Sequence, residues 1–297
     1  MSDEFLVSGL AIAAACIWAL SMTLQKRGLA AGGTVLQGSL IVAVVDAVCY
    51  WTVIGGITVT TGHTPPITLF VLGIFFVSGT VGTAVGRLFS FVGIDRVGAS
   101  VNSAGISTRP LFAAVLAFLA IGEVVNELTV VGMVVLVVGL VVLTLSDGGD
   151  LSGWEPWELA FPLLAAVAYG GSDVVRRFGL TETAVSPLEA VALHETWGVL
   201  WLVGILAVRV GREAIDIPRR ALGVFLVAGV FNAASLFLFF QALSLGNVAV
   251  VSSLLGTAPL FVAVFTALLL GDLERVTRRL AVGAVLVVAG ATLITLA

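Results

Sequence analysis

No charged residue occurs between Phe5 and Leu24, and apolar blocks of similar length recur along the chain with short polar breaks between them. A helix needs about 20 apolar residues to cross ~30 Å of hydrocarbon, so each block is long enough to span a bilayer. Strands of a membrane barrel alternate in polarity, a pattern these blocks do not show. Composition agrees: 59% of the 297 residues are hydrophobic and 11% are charged, with a mean hydropathy of +1.16. That leaves too few charges to dress a water-soluble fold of this size. The expected fold class is an all-α integral membrane protein. Met1-Ser2-Asp3-Glu4 is acidic where a cleavable leader carries positive charge, so the first helix is expected to be retained. Cys16 and Cys49 fall inside apolar blocks, where cysteine acts as a small hydrophobe, so no disulfide or metal is expected of them.

The blocks predict ten helices, at about 5–24, 35–57, 67–93, 97–121, 128–145, 157–175, 187–208, 221–243, 247–270 and 280–296. Thr108-Arg109-Pro110-Leu111-Phe112, running to Gly122-Glu123, is written again as Thr257-Ala258-Pro259-Leu260-Phe261, running to Gly271-Asp272 at the same spacing. Trp18, Ser21 and Gly28-Leu29 likewise match Tyr169, Ser172 and Gly179-Leu180, and Gly132 and Gly139 match Gly283 and Gly290. Self-similarity of this extent marks an internal duplication. It divides the chain into a first repeat at 1–146, a polar loop at 147–156 and a second repeat at 157–297. Five crossings per repeat deliver the chain to the opposite side of the membrane, so the two copies must be inverted. Inverted repeats are the architecture of many secondary transporters, with the solute site near the bilayer midplane between the copies.

The run from Gly98-Ala99 through Thr108-Arg109-Pro110-Leu111-Phe112 to Gly122-Glu123, followed by Gly132 and Gly139, resembles the EamA domain of the drug/metabolite transporter superfamily. Ala249 through Pro259-Leu260-Phe261 to Gly271-Asp272, Gly283 and Gly290 resembles it a second time. With Trp18 and Lys26 the likeness spans nearly the whole chain. Two positions depart from the family pattern: Asp272 stands for the usual glutamate, and Arg109 for a neutral or acidic residue. The resemblance implies a ten-helix secondary transporter in the cytoplasmic membrane, an exporter of a small metabolite or drug-like solute more often than an importer, and a monomer or homodimer. It also implies cytoplasmic termini. The loop charges give the opposite orientation, because Lys26, Arg27, Arg96, Arg209, Arg212, Arg219, Arg220, Arg275, Arg278 and Arg279 all follow odd-numbered helices.

Pro110 and Pro259 are expected as kinks near the middle of their helices, each leaving the carbonyl four residues earlier without a donor. Ser103, Ser107 and Thr108 precede the first, and Ser252, Ser253 and Thr257 the second, so both helices are expected to line a central cavity. Ionisable groups at membrane depth are costly and face the interior or water. Arg109 is the leading candidate, expected either to bind an anionic substrate group or to pair with Asp46, Asp173 or Glu195. One of these acids, or His194, is the candidate for a coupling proton. Arg87 and Asp173 sit nearer helix ends, where interface placement is expected. Trp18, Asn102, Thr108, Asn232, Gln241, Ser253 and Thr257 complete the candidate substrate-binding set. Asp272 is expected to pair with Arg275, Arg278 or Arg279 of its own loop, in a structural role shared with Glu123.

Enzymatic readings fare poorly. His194-Glu195-Thr196-Trp197-Gly198 begins like a zinc-protease motif but lacks the second histidine. Ser172 with His194 sketches a serine dyad, yet Ser172 is explained by its duplicate, Ser21. No phosphate-binding G-x-x-x-x-G-K-[ST] motif occurs. The expected function is secondary transport by alternating access; the alternatives are a non-transporting membrane scaffold or sensor and, remotely, an intramembrane hydrolase. The expected partners are the bilayer, a small-molecule substrate and a coupling proton, with no nucleic acid, cofactor or metal.

Overall fold

The computed structural model describes residues 2–109, 111–112, 127–144, 149–150, 153–209, 216–246, 251 and 254–295. Pro110, Glu123, Arg212, Ser252 and Ser253 lie outside them. The described residues form nine helical stretches: α1 (Ser2–Ala30), α2 (Val35–Thr61), α3 (Leu69–Ile106), α4 (Glu127–Thr144), α5 (Ala160–Glu182), α6 (Pro187–Arg209), α7 (Arg219–Leu245), α8 (Ala258–Leu269) and α9 (Arg278–Thr295). Six helical stretches are long and apolar enough to cross a membrane: Phe5–Ala30, Val35–Thr61, Leu69–Ile106, Pro156–Glu182, Pro187–Val208 and Arg219–Leu245.

Local chemistry sets several of these bounds. Thr34 and Gln37 form a reciprocal capping box at the start of α2, and Gly62 ends that helix in the left-handed conformation. The third stretch covers 38 residues; straight, at ~1.5 Å per residue, it would be nearly twice as long as a bilayer core is thick. Gly98 divides it, with φ 87° and ψ 163°, so its two arms are separate helices joined by one glycine. Within the first arm, Thr80–Gly86 is π-helical, an irregularity common at functional sites.

The repeat is visible in the packing. Each helix of the first half finds its main partner in the second: α1 with α7, α2 with α6 and α7, α3 with α5, and α4 with α9. Contacts come in matched pairs. Ser21 Oγ donates to the Ala228 carbonyl on α7 at 2.8 Å, and its duplicate Ser172 donates to the Ser78 carbonyl on α3 at 2.9 Å. Gly28 lies under the ring of Phe225, and its duplicate Gly179 under that of Phe75. Gly139 and Gly290 each let the facing backbone approach: an added β-carbon would meet the Val287 nitrogen at 2.6 Å or the Leu136 nitrogen at 2.5 Å. Two main apolar clusters draw on both halves, one around Phe75, Phe239 and Phe240, the other around Phe91, Met22 and Phe225.

The duplicated motif differs from expectation in one respect. Pro259 opens α8 at its first turn; it does not kink a continuous helix. The turn before it is closed by Thr257, whose N–H reaches the Leu254 carbonyl at 3.1 Å and whose hydroxyl reaches the same oxygen at 2.6 Å. Thr108 does the same to Gly105, at 3.1 and 2.7 Å. Both hydroxyls therefore serve their own backbone. α1 also runs past its expected exit and buries Lys26, which pairs with Asp150.

Candidate functional site between the repeats

A small cavity of about 60 Å³ lies between the halves, walled by α1, α3, α5, α6 and α7. Trp18, Arg109, Glu195 and Asn232 line it, together with Arg87, Thr83, Tyr169 and Arg176. Behind this wall sit Asp46, Asp173 and His194, all buried. Three acids and three arginines thus form one network with balanced charge.

Arg87 is its first hub. Its Nη2 is 2.9 Å from Asp46 Oδ2 on α2 and 2.9 Å from Glu195 Oε1 on α6. Asn232 donates to the same Asp46 oxygen at 2.8 Å, and Thr83 to the same Glu195 oxygen at 2.8 Å. Arg87 is only 7% exposed and lies within an unbroken helical run, so its expected placement near a helix end is corrected. Asp173 is the second hub. Arg109 Nη1 reaches its Oδ2 at 3.1 Å, and Arg176 Nη1 reaches its Oδ1 at 2.8 Å from one turn along α5. Of the three acids expected for Arg109, Asp173 is the one it pairs with; Asp46 and Glu195 belong to Arg87. The Arg109 guanidinium also stands 5.1 Å from the Tyr169 ring centroid and 6.0 Å from that of Trp18, the two aromatic residues the repeat equates.

His194 joins the hubs. Arg176 Nη2 lies 2.9 Å from His194 Nε2, and since a guanidinium has no lone pair to offer, that nitrogen must accept. The proton then sits on Nδ1, donated to Ser78 Oγ at 2.6 Å. Ser172 instead gives its hydroxyl to the Ser78 carbonyl, so the serine–histidine dyad sketched from the sequence is not assembled. The small residues of α3 make this closeness possible: a β-carbon at Gly82 would meet Arg176 Nη2 and Ser172 Oγ, both at 2.6 Å.

Not every candidate reaches the cavity wall. Asn102 is fully buried and turned to Ser90 Oγ at 3.4 Å and Met22. Thr108 and Thr257 close their own turns, and Gln241 lies outside the lining. Asp272 pairs across the repeats with Arg27, at 3.4 Å on the exposed surface, and not with its own loop. Ser78, Thr83, Tyr169 and Arg176 were not among the sequence candidates. Two of them carried a signal in the sequence: Asp173-x-x-Arg176 is an i,i+3 ion-pair spacing, and Tyr169 matches Trp18. Among the described residues no cluster of His, Cys, Asp and Glu has the make-up of a metal site.

Four buried polar atoms of this network have no partner among the described residues: Arg87 Nη1, Arg176 Nε, Asp46 Oδ1 and Glu195 Oε2. Buried charge left half-satisfied is costly, and such atoms are expected where a polar solute or water completes the set.

Comparison with known proteins agrees with this architecture. A WAT1-related chloroplastic protein of Arabidopsis thaliana is 28% identical over 189 residues, covering 61% of this chain and 45% of that protein, so the chain spans less than half of this relative's length. A solved structure, titled only as the crystal structure of a protein, superposes with a TM-score of 0.65 at 16% identity over 98% of this chain and 96% of the other, a likeness of fold alone. The EamA-like transporter family matches twice, at residues 6–145 and 156–296, once for each repeat. With both copies matched, and with apolar helices long enough to cross a bilayer, this multi-pass membrane protein belongs to the EamA-like transporter family.

Proposed function

We propose that the chain is a secondary transporter that moves a small polar metabolite or drug-like solute by alternating access, with ten crossings in two inverted repeats and the solute held in the cavity between them. The cytoplasmic membrane is its proposed location, and export its proposed direction. The observation that carries this reading is the cavity itself: it lies between the repeats, and its network includes unpartnered donor atoms of two arginines and acceptor atoms of two carboxylates. A polar solute able to complete this network would be bound and oriented there. Arg109 and Trp18 are the proposed solute contacts at one end, and Glu195 and Asn232 at the other. Asp46, Asp173 and Glu195 are the acids proposed for a coupling proton. His194, bonded to Arg176, would first have to give up that contact.

The test is flux into proteoliposomes across a panel of amino acids, sugars and organic anions, with and without a pH gradient. The expected result is saturable uptake or exchange of one class, and thermal stabilisation of the purified protein by the same class. Absence of both would sink the transporter reading; flux indifferent to the gradient would remove the proton alone.

A further inference from the structure

The face at the C-terminal end of α1 is closed by a second set of buried charges. Lys26, on α1, pairs with Asp150 and donates to the Asp95 carbonyl at 3.2 Å. Asp150 belongs to the short strand β1 (Gly149–Asp150), which pairs antiparallel with β2 (Glu274–Arg275). From β2, the carboxylate of Glu274 accepts the N–H of Ala99 at 2.6 Å and that of Ser100 at 3.2 Å. These are the first peptide groups beyond the Gly98 break, left without helical acceptors because φ of 87° turns the chain out of the preceding helix. A carboxylate is the group a helix start favours. The fit is tight: a β-carbon at Gly98 would meet Glu274 Cδ at 2.7 Å, and one at Gly149 would meet the Val97 carbonyl oxygen at 2.6 Å. Lys26, Asp95 and Ala99 lie in the first repeat and Glu274 in the second, so the set ties one repeat to the other.

The duplication supplies an internal control. Arg177 occupies the position matching Lys26 and donates to the Leu243 and Gly246 carbonyls at the end of α7, the latter at 3.1 Å. Both cations thus cap the carbonyl end of a helix. The acid does not repeat, since the first copy has Val125 where the second has Glu274. At the end of the molecule formed by the α2–α3 turn and the start of α6, the repeats are joined by His63 and Glu189 at 2.7 Å, with His63 half exposed.

We propose a one-sided charge latch: the Glu274 carboxylate and the Lys26–Asp150 pair hold the repeats together on this face and must release before the cavity opens there. The latch rests on the transport reading, but its test needs no solute. A cysteine placed at Ser90, a cavity-lining position, in a C16A/C49A background reports access to membrane-impermeant maleimide added to either face of sealed vesicles. E274Q and D150N are each expected to speed labelling from the Lys26 face about fivefold or more, the factor that ~1 kcal/mol of lost bias gives, and to slow it from the other face. Unchanged labelling in both variants would overturn the latch, as would an equal rise from both faces, the signature of general loosening. If E274Q does not accumulate as folded protein, D150N decides, because it leaves the bonds of Glu274 to Ala99 and Ser100 in place. Altered labelling without solute flux would count against the transport reading alone, and flux with unaltered labelling against the latch alone.

Discussion

Arg87 Nη2 stands 2.9 Å from Asp46 Oδ2 in a place where the aspartate has no exposure at all. The same guanidinium neutralises Glu195 at 2.9 Å, so one cation serves two buried acids. Arg87→Gln therefore strands both, and breaking a buried pair in this way costs about 3–5 kcal/mol. The variant is expected to lose most of its folded yield and to melt well below the parent, as read by fluorescence-detected gel filtration after heating. Adding Asp46→Asn should recover part of the loss, since one stranded charge is then removed. A parent-like melting curve for Arg87→Gln alone would show that the network carries little of the fold's stability.

Arg109 should behave in the opposite way. Its partner Asp173 keeps a second arginine, Arg176, at 2.8 Å when Arg109 is removed, so no acid is stranded. Arg109→Gln is expected to lower the melting temperature by no more than about 3 °C, equivalent to ~1 kcal/mol. Solute flux should fall about tenfold or more, the loss of one charge-assisted contact of ~1.5 kcal/mol. Intact transport with a poor folded yield would make Arg109 a structural residue. Arg109→Lys, which keeps the charge but not the guanidinium beside Tyr169 and Trp18, should fall between.

Gly139 and Gly290 test the pairing of the two repeats away from the cavity. Each faces backbone of the partner helix at a distance no side chain tolerates. Gly139→Ala and Gly290→Ala should each destabilise by about 1–3 kcal/mol, the usual cost of overpacking, and by similar amounts, since the two contacts are copies. Thermal melts of the two single variants check both claims, and markedly unequal losses would break the equivalence.

What was legible in the sequence was what repeats locally. The turns at Thr108 and Thr257 use the same bonds to within about 0.1 Å because short-range chain chemistry is copied with the residues. Membrane class and the long apolar helices followed from apolar length for the same reason. Partner choice did not. Arg87 and Arg109 are both single cations in apolar surroundings, and only the packing of α3 against α5 and α6 decides that Asp46 and Glu195 fall to one and Asp173 to the other. Nothing in the residue spacing of Thr80–Gly86 announces a π-helical segment holding Thr83 against Glu195. Lys26 was assigned to a loop because its acid, Asp150, lies 124 residues away. Long-range ion pairs convert a helix exit into a buried position, and no local pattern records that.

The pH dependence of stability probes Glu274. Burial is the largest influence on its carboxyl and raises its pKa above the ordinary value near 4.5, while the Ala99 and Ser100 N–H groups and Lys26 pull it back less strongly. The folded chain then holds this proton at pH values where the unfolded chain has already lost it. Where the folded state binds more protons, stability falls as pH rises, so Glu274 should weaken the fold progressively from about pH 4.5 up to its raised pKa and no further. Glu274→Gln cannot ionise and removes that slope. The other ionisable groups, including Asp150, Asp95 and Lys26 beside it, are common to both proteins, so the difference between their melting curves across pH about 4 to 8 reports Glu274 together with its coupling to them. The parent is expected to lose stability relative to the variant over the lower part of that range and to run parallel to it above. A parent that instead gains on Glu274→Gln as pH rises would mean that the two N–H bonds and Lys26 outweigh burial, and that the latch is tightest when fully charged.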